Sequence, residues 1–180
     1  MKNLSRRARV ATGGVVLAAV AAGTFGTVSA NASAPAAAPA AGVKSATTTT
    51  STHLSIDAAN KAAQAALHAA EKENQKVSVA VVDRNGNTIL TLRGDGAGPQ
   101  SYESAEKKAY TAVSWNAPTS ELAKRLASTP NLKDIPGTLF LAGGAPVTAK
   151  NAPIAAIGVA GAPSGDQDEK FAQAGVAALR

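Results

Sequence analysis

The sequence predicts an α+β domain in which one antiparallel sheet of five strands is packed by helices. Three observations lead there. An alanine-rich stretch from Leu54 to about Asn74 carries helical spacing, two β-rich runs flank Asn85-Gly86, and three more strand-like segments between residues 138 and 160 are framed by helical stretches. Strands that come as a hairpin and a cluster, with helices grouped between them, suit an antiparallel sheet rather than a βαβ series.

The first helix opens at Leu54-Ser55-Ile56-Asp57. Ser55 is a good N-cap, because its hydroxyl can accept from a free N–H of the first turn. Asp57 suits the positive end of the helix dipole. Ile56, Ala59, Ala63, Leu67 and Ala70 recur at helical spacing and are expected to face the core. Val77 to Val82 is the first strand. Asp83-Arg84-Asn85-Gly86-Asn87 is a turn, and Asn-Gly is the strongest short hairpin signal. Thr88 to Arg93 is the second strand, and the glycines and proline of Gly94 to Pro99 make a loop.

Ser101 to Trp115 reads as a helix that buries Tyr102, Ala105, Ala109 and Ala112 and turns Lys107, Lys108, Thr111 and Trp115 the other way. Asn116-Ala117-Pro118 separates it from a shorter helix, Thr119 to Ser128. The third strand, Thr138 to Ala142, lies between Pro136-Gly137 and Gly143-Gly144. Ala145 to Ala149 is a fourth strand, and Pro153 to Ala160 a fifth, apolar enough for a buried centre. Ser164 to Asp168 caps the last helix, with Asp166-x-x-Glu169 in a capping-box pattern.

The amino-terminal region reads differently. Lys2, Arg6-Arg7 and Arg9 precede an uncharged run from Val10 to Ala30 that ends in Val28-Ser29-Ala30. That is the order of an export signal, residues 1–30, and the arginine pair leaves both the twin-arginine and the general secretory route open. Residues 31–53, rich in Ala, Pro, Ser and Thr, are expected to be a disordered linker, with the folded domain over 54–180. The formal charge of +6 includes four cations of the signal, so the remainder carries about +2 and no dense basic stripe. Nucleic acid is therefore not an expected partner. There is no cysteine, which excludes disulfides, thiolate metal sites and cysteine nucleophiles.

Few residues can carry chemistry. His53 falls in the linker, and His68 sits at the edge of the first helix's apolar face. Lys107, Lys108, Thr111 and Trp115 put two amines, a hydroxyl and an indole on one side of a helix, a surface that could meet a planar dianion or simply be solvated. Glu103 and Glu106, three apart, are neighbours that could hold a hard cation, or Glu103 could pair with Lys107 one turn on. Gly158-x-x-Gly161 and Pro163-Ser164-Gly165 lead into a helix N-terminus, but Asp166, Asp168 and Glu169 already occupy that end, so it reads as a turn and cap rather than a phosphate cradle.

In order and spacing, Val77-Ser78-Val79-Ala80-Val81-Val82-Asp83 with Gly86, Lys107-Lys108-Ala109-Tyr110-Thr111-Ala112, Pro136-Gly137, Gly143-Gly144, Ile157-Gly158-Val159-Ala160-Gly161 and Asp166-Gln167-Asp168-Glu169 resemble the GlcG/HbpS family. The resemblance runs from Leu54 to the carboxy terminus. It implies a profilin-like domain assembled into a homo-oligomer, an octamer, that binds haem b and iron outside the cell and signals redox stress to a membrane sensor histidine kinase. It also implies Thr111 as the axial ligand of haem iron and Glu103 with Glu106 as a surface iron site. A neutral threonine oxygen is a weak ligand, so the propionates would need pairing, by Lys107, Lys108 or a neighbouring subunit. Relatives differ at the axial ligand, some using histidine. With Thr111 expected to face away from its own core, the haem site is expected between subunits. Two other classes stay open: a haem-dependent weak peroxidase or haem-degrading enzyme, and a cofactor-free accessory protein.

Overall fold

Helix α1 (Ile56–Lys72) starts where its cap directs, Ser55 Oγ accepting from the N–H of Ala58 at 3.3 Å. The structure, a computed structural model, describes residues 42–180, and from Lys44 onward they form one unit. The expected export signal and the first part of the expected linker lie outside the described residues. Residues 42–53 are exposed and hold one short 3-10 turn, Ser45–Thr47.

Four strands follow, not five: β1 (Ser78–Asp83), β2 (Thr88–Arg93), β3 (Gly144–Ala149) and β4 (Ala152–Ala160). They pair antiparallel in the order β2-β1-β4-β3, with Val81 opposite Leu90 on one side and Ile157 on the other. The expected strand at 138–142 does not form. The N–H of Leu139, which a sheet would use, goes instead to Thr111 Oγ1 at 2.8 Å, and left-handed Gly137 and Gly143 turn the chain at both ends. Phe140 then packs edge-on against Trp115 beside Leu122.

Alternation along the strands makes two unlike faces. Val79, Val81, Ala155, Ile157 and Val159 meet α1 and helix α4 (Gly165–Ala177) in the main core, with Phe171. Ala80, Val82, Ala156 and Ala160 meet Ala105, Ala109 and Ala112 of helix α2 (Pro99–Trp115) on the opposite face. These side chains are small, so α2 lies almost backbone to backbone on β4. A Cβ at Gly158 would collide with the Ala105 carbonyl oxygen and the Ala109 nitrogen.

Several side chains depart from helical-wheel expectation. Ile56, at the first turn of α1, is exposed, while Ala62 and Ala66 join the core. Tyr102 is exposed too. Helix α3 (Thr119–Lys124) gives way to a 3-10 turn at Arg125–Ala127. At α4 the cap is Ser164, whose hydroxyl accepts from the N–H of Gln167; Asp166 lies exposed in the first turn, and the Glu169 carboxylate turns out of the helix to Ser120 and Gly143, so the expected Asp166–Glu169 capping box is not made.

Candidate functional site

Helix α2 carries most of the expected site residues and sends them in two directions. Outward, Glu103 pairs with Lys107 at 2.6 Å, the i,i+4 alternative, and that lysine's hydrogen bond and charge hold the Glu103 carboxyl below its ordinary range. Glu106 turns toward the sheet edge and accepts from Thr91 Oγ1 at 3.0 Å. The two glutamates are neighbours in sequence but are held by different partners. Among the described residues no group of three or more His, Cys, Asp and Glu converges as a metal cage. His68 is exposed, and His53 is exposed with its ring against Ser51.

Inward, the structure corrects the expected solvent face. Lys108 is 4% exposed and Thr111 is fully buried. Thr111 Oγ1 donates to the Lys107 carbonyl at 2.7 Å and accepts from Leu139, so the hydroxyl ties the 139–142 loop to α2. Lys108 is drawn in by its length and by a gap beside it. Its stem runs over Gly143, where any Cβ would clash with it. Its Nζ donates to Asp168 Oδ2 at 2.7 Å and to the Val159 carbonyl at 3.1 Å.

This ion pair sits in a hydrogen-bonded frame. Asp168 Oδ1 accepts from the N–H of Ala162 at 3.0 Å. Burial pushes the Asp168 carboxyl up, and Lys108 with the Ala162 and Gly161 N–H groups works against that rise. Taking two charges out of water is costly unless their remaining bonding capacity is met, as it largely is here. Next in sequence, Glu169 accepts from the Ser120 N–H and hydroxyl, from Thr119 and from the Gly143 N–H. Thr119 Oγ1 in turn accepts from the Gly144 N–H at 2.7 Å. Two adjacent acids thus bind α4 to α2, α3 and the start of β3. Sequence reasoning missed this role because it read both acids as helix caps. The signal available was the Gly143-Gly144 doublet, which leaves room for a long side chain.

Above the Lys108–Asp168 pair opens a cleft of about 420 Å³ between the first half of α2, the 139–142 loop and the start of α4. No described helix is long and apolar enough to cross a membrane.

Residues 54–177 match the family model described as haem-degrading protein, HbpS-like. A double mutant of HbpS from Streptomyces reticuli, in which two glutamates three positions apart are aspartates, is 73% identical, with a TM-score of 0.78 over 81% of this chain and 99% of that one. Klebsiella pneumoniae protein ORFY is 28% identical, with a TM-score of 0.69 over 73% and 94% of the two chains. PduOC, crystallised as a haem complex, is also 28% identical, with a TM-score of 0.65 over 71% and 95%. A comparison with curated proteins gives no match.

Proposed function

The chain belongs to the HbpS-like family of haem-degrading proteins, and from that premise we propose that it binds haem b and works outside the cell as a haem and iron trap or redox sensor that modulates a membrane sensor histidine kinase. The observation that carries haem binding is the likeness to PduOC, a relative crystallised with haem and matched over 95% of its length. Export rests on the basic, apolar and small-residue order of residues 1–30. Self-assembly, as an octamer, is part of the same reading.

The side chains fit the haem assignment unevenly. Thr111 has no free face in the single chain: its oxygen already serves Lys107 and Leu139. We read it as a positioning residue for the 139–142 loop, not as a group that meets the iron. Lys108 gives two of its three N–H bonds to Asp168 and Val159 and is buried at the floor of the cleft, away from the exposed face that carries Lys107. Lys107 is half-exposed and its partner Glu103 is exposed, so it can turn to a propionate at little cost. Bound haem would supply an iron whose redox behaviour follows its axial ligand and the polarity around it. Iron at Glu103 and Glu106 is supported by their spacing of three, the same as that of the two glutamates replaced in the HbpS double mutant.

The test is a haemin titration of the full chain followed at the Soret band. A saturable, shifted band is expected, kept in Thr111→Ser and unchanged per folded molecule in Thr111→Ala. No saturable shift removes haem from the account. Loss of the band in a folded Thr111→Ala, with retention in Thr111→Ser, would return that oxygen to the iron. The family description favours a second reading, in which the bound haem is itself degraded. Peroxide added to the haem-loaded protein distinguishes the two, by whether the Soret band bleaches with release of iron.

A further inference from the structure

The cleft above the Lys108–Asp168 pair has the attributes of a small-ligand site. Lys108 Nζ carries three N–H bonds, and two of them have acceptors, Val159 O and Asp168 Oδ2. The third has none among the described residues, although the side chain is nine-tenths buried and lines the cleft. Gln100, Ser104 and Lys108 stand at successive turns of α2, on one stripe along the cleft wall. Among the described residues, neither the Gln100 amide nor the Ser104 hydroxyl has a hydrogen-bond partner. The opposite wall is apolar, formed by Leu139, Leu141, Ala142 and Pro163, and Leu141 is 57% exposed. A volume of about 420 Å³ falls within the range of small-molecule pockets.

The charges that face this space decide the class of ligand. Three acids open α4, and from sequence they argue against an anion. In the fold, Asp168 is offset by Lys108, and Glu169 is turned away to Ser120 and Gly143. Only Asp166 remains, exposed at the rim, where water screens it. What Lys108 offers the cleft is its third N–H, a donor on an ammonium whose charge Asp168 shares, beside the Gln100 amide and Ser104 hydroxyl, each able to donate or accept.

We propose that this cleft binds a short amphipathic carboxylate, its oxygens received by the free Lys108 N–H and the Ser104 hydroxyl and its hydrocarbon laid against Leu139, Leu141 and Pro163. Asp168 is the positioning residue that aims the ammonium. The cleft stripe of Gln100, Ser104 and Lys108 lies about a quarter-turn round α2 from Glu103 and Lys107, and the proposal does not depend on the haem reading.

Saturation-transfer NMR on the full chain, with butyrate, butylamine and butan-1-ol as probes of equal length, tests it. Butyrate is expected to give a saturable signal, with butylamine silent and butan-1-ol several-fold weaker. Ser104→Phe, whose ring would fill the cleft, is expected to abolish the butyrate signal. Gln100→Glu, on an exposed helix end that tolerates change, is expected to weaken butyrate about three- to fivefold by adding a like charge near the carboxylate, with butan-1-ol unaffected. The proposal is overturned if butyrate shows no saturable signal, or if butylamine or butan-1-ol matches it. It also fails if butyrate binding survives in folded Ser104→Phe or is unmoved in Gln100→Glu.

Discussion

The two faces of the sheet are built on different principles. The face toward α1 and α4 is a hydrocarbon core in which Val79, Val81, Ile157, Val159 and Phe171 interdigitate. The face toward α2 has almost no large apolar side chains. It relies on alanine and glycine to bring backbones together, and around that seam it buries Ser78, Ser101, Lys108 and Thr111, each hydrogen-bonded. The first face draws its stability from area removed from water, roughly 25 cal/mol per Å². The second draws it from close approach and complete polar pairing, and it buries Lys108 and Thr111, the two α2 side chains expected at the haem site. A protein that must hold a charged or polar group at a defined place needs the second kind of surface, and the first kind supports it.

That contrast can be broken most severely at Gly158. Gly158→Val is expected to drive α2 off β4 and leave no cooperative thermal transition, because the new side chain meets backbone that cannot yield. Next, Asp168→Ala leaves a buried ammonium without its counter-charge and is expected to cost about 3–5 kcal/mol in chemical denaturation. If Asp168→Ala instead behaves like a surface change, the two faces do not differ as described. Thr111→Ala strips an acceptor from the Leu139 N–H and is expected to cost about 1–3 kcal/mol, with Thr111→Ser restoring most of it. On the hydrocarbon face, Ile157→Val is expected to cost only about 0.5–1.5 kcal/mol. A larger loss there than at Thr111 would reverse the ranking.

The smallest expected effect is on acid stability at the hairpin. Partial burial of Asp83 tends to raise its carboxyl, but the N–H groups of Asn87 and Asn85, helped by the charge of His53, outweigh it and hold the group below its ordinary 3.8. The unfolded chain therefore binds this proton first as the pH falls. The stabilisation from Asp83 is complete above about pH 3.8 and is lost as the pH drops through the lower folded value. Asp83→Asn should flatten the acid limb of stability against pH, while leaving neutral stability less affected than any of the changes above.

Legibility in the sequence follows the same division. The hydrocarbon side could be read in advance: the Ser55 cap, the alanine helix, the hairpin at Asn85-Gly86 and the apolar strand through Ile157 all express local propensity and period. The polar side could not. Periodicity treats lysine as solvated, so Lys108 was expected outside, yet its partner stands 60 residues further on. Thr138 to Ala142 has the composition of a strand and became a loop because a helix hydroxyl claimed its N–H. Glu103 and Glu106 were rightly seen as helix neighbours, but that Glu106 would be held by Thr91 of β2 is a tertiary fact with no local trace.

The convergence at Glu169 also has a kinetic consequence. The N–H groups of Ser120 and Gly143 wait for a carboxylate 49 and 26 residues downstream. While the chain is being synthesised, the α3 segment and the turn into β3 can collapse but cannot settle, since the Ser120 and Gly143 N–H groups lack this acceptor until α4 arrives. Closing such long loops is slow relative to local helix formation. The last helix made is thus the one that locks the rest, and a chain cut before Ser164 would stay loose however complete its sheet.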